Sequence, residues 1–124
     1  MYYIAAIAAY VVSKAGAAKL YDQVAAEHAD VRVFNLHPGL VKTAMSKKAG
    51  MDTLPADEPE LPAAMTVYLA SPEGDFLKGR FVWASWDVQE LKEMRAEIEA
   101  TEMWGQMGLV GWDGFKHTSK APWE

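Results

Sequence analysis

The chain has 124 residues, 51% of them hydrophobic and 23% charged, which suits one ordinary domain with a core rather than a disordered tail. Its net charge of −5 excludes the clustered surplus of Lys and Arg on which nucleic-acid binding depends. With no cysteine and three scattered histidines (His28, His37, His117), disulfides and thiolate chemistry are excluded and no metal centre is expected.

The first apolar run, Tyr2 to Val12, is too short to cross a bilayer, and Lys14 follows it where a secretory signal would carry its positive charge first. A soluble, cytoplasmic protein without membrane or nucleic-acid partners is therefore expected. The alanine-rich stretch from about Tyr2 or Ala8 to His28 contains no proline and predicts a helix, with Gly16 inside it as a point of close packing. Val31 to His37 is β-branched and aromatic, and Pro38-Gly39 closes it, which predicts a strand followed by a turn. Residues 44 to 60 are polar and proline-bearing and read as a long mobile loop.

A second helix opens at Asp57 or Glu58, with Pro59 tolerated in its first turn. Leu61, Met65, Tyr68 and Leu69 then share one apolar face, and Ser71-Pro72-Glu73-Gly74 ends it. Arg80 to Ala84 reads as a second strand. Asp87 with Glu90 three residues on is the spacing of a capping box, and a third helix continues through Leu91, Met94 and Ile98, its glutamates solvated. The tail from Trp104 to Glu124 has no clear period; Trp104, Trp112 and Trp123 are expected to glue it to the body. Two strands joined by so long a connection should lie parallel, and parallel sheets usually contain more than two.

Two clusters carry possible chemistry. In Tyr10-Val11-Val12-Ser13-Lys14 the phenol and the ammonium are four residues apart and share a helix face. A nearby cation favours the phenolate, making the phenol a usable proton donor or acceptor for a carbonyl or alcohol oxygen. Taken alone, such a pair is a weak signal, since most Tyr/Lys pairs at this spacing are surface packing. The second cluster, Pro38-Gly39-Leu40-Val41-Lys42-Thr43, follows the first strand, at the end where ligands bind in open α/β sheets. Taken alone, it is a turn with a spare hydroxyl on Thr43.

In this order and spacing the two clusters resemble the short-chain dehydrogenase/reductase family over about residues 8 to 85. The resemblance implies an α/β fold, the C-terminal portion of a Rossmann-like doubly wound parallel sheet, with an added C-terminal helix and tail. Residues 1–86 would be a partial dinucleotide-binding domain and 87–124 a helical extension. It implies an oxidoreductase that passes hydride between NAD or NADP and a small ketone or secondary alcohol, with Tyr10 as catalytic acid/base. Lys14 would tune Tyr10 and bind the nicotinamide ribose, and Pro38, Gly39, Val41 and Thr43 would hold the nicotinamide half. Ser13 would be structural, and the loop from about Ala44 to Pro59 would close over substrate. A homo-oligomer is implied by the same analogy.

The family's glycine-rich strand–turn–helix, which cradles the cofactor pyrophosphate, has no match here. The catalytic serine that precedes the tyrosine in the family has none either, since no serine stands before Tyr10. The alternative expectation is therefore a catalytically inactive, truncated fragment that associates with itself through an unpaired strand edge.

Overall fold

The structure is a computed structural model and describes residues 7–51, 53–101 and 103–108. The possible helical start at Tyr2, and Trp112 and Trp123 of the tail, lie outside the described residues.

Helix α1 spans Ala8–Glu27 and ends where His28 donates its backbone N–H to Val24. Its side chains are mostly exposed; Val12 stands 71% and Leu20 61% exposed, and Ala18 is the residue that α1 buries. Close packing at Gly16 is not found among the described residues, none of which lies within 4 Å of where its Cβ would be. Polar bonds hold α1 to the sheet instead. Asn35 Nδ2 donates to the Ala18 carbonyl at 3.3 Å and to Asp22 Oδ1 at 3.0 Å.

Strand β1 is Asn35–His37 and β2 is Phe81–Trp83, each shorter than its β-rich run. They pair in parallel, Leu36 opposite Val82 and His37 opposite Trp83. Among the described residues the sheet has these two strands. A parallel pair requires a long crossover, and the intervening chain supplies it as α2 (Ala44–Lys48), α3 (Glu60–Ala70) and a 3₁₀ helix (Pro72–Leu77).

Helix α2 corrects the expectation of a mobile loop. Thr43 and Ser46 form a reciprocal cap: Thr43 Oγ1 accepts from the Ser46 N–H at 3.1 Å, and Ser46 Oγ accepts from the Thr43 N–H at 2.8 Å. Two donors otherwise left open at a helix start are thereby satisfied. The motif is easily overlooked because serine stands where glutamate or glutamine is usual.

Helix α3 begins three residues later than Asp57 and buries Met65 and Leu69, while Leu61 stays exposed. Gly74 in the 3₁₀ helix fits under α3, where a Cβ would stand 2.8 Å from the Leu69 Cα and from the Tyr68 carbonyl oxygen. The third predicted helix is two, α4 (Val88–Glu93) and α5 (Arg95–Ala100), broken at Met94. Asp87 does cap the first, its Oδ1 accepting from the N–H groups of Gln89 at 2.6 Å and Glu90 at 3.2 Å.

One core gathers these elements. Met65 and Leu69 of α3 meet Phe76 and Leu77 of the 3₁₀ helix, Val82 of β2, Ala84, Leu91 of α4 and Ile98 of α5. Phe34, Leu36, Tyr68, Val88 and Trp104 pack on its margin, and the Trp104 ring meets Trp86 edge-on at 5.7 Å. Each fully buried Leu or Ile contributes about 1.5–3 kcal/mol. No helix among the described residues is long and apolar enough to cross a membrane.

Candidate active site

The first turn of α1 and the segment leaving β1 face each other across a cleft of about 420 Å³. Tyr10 lines it from the helix side; Pro38, Gly39, Val41 and Thr43 line it from the other. Lys14 is placed beside Tyr10 rather than on the cleft wall, its ammonium 5.7 Å from the centre of the phenol ring. This is what helical spacing dictates for residues four apart, and the distance lies within the range of cation–π attraction. Ser13, between them in sequence, turns its hydroxyl back to the Tyr10 carbonyl at 2.7 Å and so serves the helix backbone.

The Pro38–Thr43 segment takes its shape from bonds within the chain. Gly39 has φ of 80°, a left-handed conformation that glycine adopts without steric cost. Its N–H donates to His37 Nδ1 at 3.1 Å, and the His37 ring stacks on Trp83 with centroids 4.0 Å apart. Leu40 donates its N–H to Asp57 Oδ2 at 3.2 Å and accepts the Asp57 N–H at 2.7 Å, while Val41 forms an isolated parallel bridge with Asp57. The Thr43 hydroxyl, read from sequence as spare, caps α2.

The cleft is also lined by Ile7, which no sequence signal marks, and by Leu40 of the second cluster. Met45, Ser46, Lys48, Ala49 and Met51 line it from the stretch expected to close over substrate, none of them singled out individually by the sequence. They make the lining largely apolar, with Lys48 its one basic group among the described residues.

A short chain dehydrogenase/reductase of Claviceps purpurea is 39% identical over 109 residues, covering 82% of this chain and 36% of the relative. Short chain dehydrogenase/reductase AacuD of Aspergillus aculeatus is 39% identical over 106 residues, covering 83% of this chain and 37% of its own length. Short chain dehydrogenase/reductase nsrO of Aspergillus novofumigatus is 37% identical over 108 residues, covering 82% of this chain and 37% of its own length. The chain belongs to the short-chain dehydrogenase/reductase family. It spans about a third of the length of these dehydrogenases/reductases and matches their C-terminal part. No family model matches the chain, and no solved structure does.

The family generally uses NAD(P), and the cleft allows a test of fit. Its apolar walls from Leu40, Val41 and Met45, closed on one side by Tyr10, suit a flat ring such as the nicotinamide end of this group. Nothing in the sequence given offers the glycine-rich turn that would seat the pyrophosphate. The fit is to the nicotinamide end.

Proposed function

We propose that this chain carries the nicotinamide- and substrate-facing part of an NAD(P)-dependent oxidoreductase acting on a small ketone or secondary alcohol. In this reading it is the C-terminal portion of a Rossmann-like doubly wound sheet. One observation supports it above the others: Tyr10 lines the same cleft as Pro38, Gly39, Val41 and Thr43, four residues before Lys14. NAD or NADP, when bound, supplies or accepts hydride. Pro38, Gly39, Val41 and Thr43 hold its nicotinamide end. Tyr10 gives a proton to the substrate oxygen as the ketone is reduced, or removes one from the hydroxyl in the reverse direction. Lys14 keeps positive charge beside the phenol and offers a donor to the ribose.

The test is titration with NADH and NADPH, followed by tryptophan fluorescence. Saturable binding in the micromolar range is expected, and Tyr10→Phe should lower turnover by about 10²-fold or more with binding spared. Unchanged turnover in Tyr10→Phe would remove the phenol from the mechanism.

A second reading makes this chain catalytically inactive and self-associating. Its support is the exposure of Val12 and Leu20 on α1. Absence of NADH and NADPH binding up to millimolar concentration, with oligomers in sedimentation, would favour it. A monodisperse monomer that unfolds cooperatively would count against it.

A further inference from the structure

We infer that Asp57 is a positioning residue that clasps the cofactor-facing turn, and that its carboxylate is a second reason, beside the positive φ, for glycine at position 39. The inference rests on the reading of Pro38–Thr43 as the nicotinamide side of the cleft. Asp57 touches neither reacting group. It meets the turn through two hydrogen bonds: its carboxylate accepts the Leu40 N–H, and its own N–H returns to the Leu40 carbonyl as part of the isolated parallel bridge with Val41. A carboxylate that accepts a backbone N–H makes one of the stronger hydrogen bonds available to a loop.

Asp57 also closes a circuit. Chain leaving the turn at Val41 passes through the Thr43–Ser46 cap and α2, is drawn in where Met51 donates its N–H to the Ser46 carbonyl at 2.9 Å, and returns at Asp57. Met45 and Met51, carried on this excursion, line the cleft. The carboxylate therefore fixes both the turn and the flap that faces it.

The geometry at Gly39 gives the second half of the inference. A Cβ there would run into the Asp57 side chain, meeting Oδ2 first, with Cγ 3.1 Å away. The space in front of Gly39 is taken by the chain itself. Glycine is needed here for its positive φ and, separately, because Asp57 fills the place of a side chain.

A two-part experiment separates this clasp from the function it is proposed to serve. Hydrogen exchange is followed over residues 38–57 in the unaltered chain and in Asp57→Ala, Asp57→Asn, Gly39→Ala and the double variant. Asp57→Ala should speed exchange in that stretch tenfold or more while α3 and β2 keep theirs. Asp57→Asn, which retains an acceptor oxygen for Leu40, should stay close to the unaltered chain. Gly39→Ala should speed exchange markedly by itself and add less in the Asp57→Ala background, where the clash is gone and the strain of positive φ remains. Unchanged exchange in Asp57→Ala, or full additivity of the two alanine variants, would overturn the clasp.

NADH titration of the same proteins reads the link to binding. Asp57→Ala should weaken NADH binding by tenfold or more, with recovery in Asp57→Asn; equal affinity in both would overturn the positioning role. If the unaltered chain binds no NADH, the proposed function fails while exchange still decides the clasp.

Discussion

Gly16 of α1 and Gly39 of the turn after β1 are both glycines, yet their physics differs. Gly39 sits at positive φ against Asp57, whereas Gly16 lies in mid-helix with no other described residue where a side chain would be. A mid-helix glycine with no packing reason forfeits about 0.5–1 kcal/mol relative to alanine. Gly16→Ala is therefore expected to raise the stability of the chain by about that amount, read as a higher midpoint in urea with unchanged slope. A lower midpoint would show that something covers the exposed side of α1 and needs the gap. Asn35 also acts at the scale of one side chain, since it ties the helix that carries Tyr10 to the strand that feeds the Pro38–Gly39 turn. The Tyr10–Lys14 pair was legible in the sequence because helical spacing alone brings the two together. Asp57 was not: it lies 17 residues from Leu40 in a stretch without periodicity, and no local rule announces such a return.

At the scale of elements, the contact of α3 with α4 carries the clearest dependence on pH. Burial pushes the Tyr68 phenol above its ordinary value of 10.0, against the opposing pull of the Lys92 charge. The hydrogen bond to Glu73 raises Lys92 above its ordinary 10.5. Both groups hold their protons more firmly when folded, so the unfolded chain releases protons first as the solution becomes alkaline. Their stabilisation is complete below the ordinary values and is lost as pH rises through the raised ones. Unfolding free energy should be insensitive to these two groups from pH 7 to about 9 and fall above about pH 10. Tyr68→Phe should flatten that fall, and an equally steep decline in the variant would assign it elsewhere.

The same elements show what pattern can and cannot reveal. The buried stripe of α3 and the Asp87 cap of α4 were readable, because side-chain period and capping chemistry are local. The break at Met94 and the 3₁₀ helix after Ser71 were not. Each is settled by packing on the core, with Gly74 tucked beneath Leu69 and Arg95 laid over the Phe76 ring at 5.5 Å. The strands came out shorter than Val31–His37 and Arg80–Ala84 because a ladder needs a partner for every residue, and composition does not supply one.

Across the whole molecule, the C-terminal helices share the core with the sheet. Ile98 is fully buried beside Leu77 and Val82. Arg80, one residue before β2, donates to the carbonyls of Ile98 at 3.1 Å and Trp104 at 2.8 Å, and the Phe81 N–H donates to Gly105 at 2.6 Å. Removing a buried branched side chain costs about 2–4 kcal/mol, from lost transfer energy and the cavity left behind. Ile98→Ala is expected to lower unfolding free energy by that much while the chain still melts in one transition. Two separate transitions would mean that α4 and α5 come away by themselves.

The doubled-back stretch between Val41 and Asp57 has its two ends stapled together at a single residue, Asp57, by its backbone and its carboxylate. Lengthening a tether whose ends are already joined costs little, about 0.6 kcal/mol for each doubling. Insertions there would leave the pairing of β1 with β2 untouched while redrawing the rim of the cleft. On the function proposed above, selectivity for molecules of different size would drift by changes in one exposed span, with Tyr10 and its neighbours left as they are.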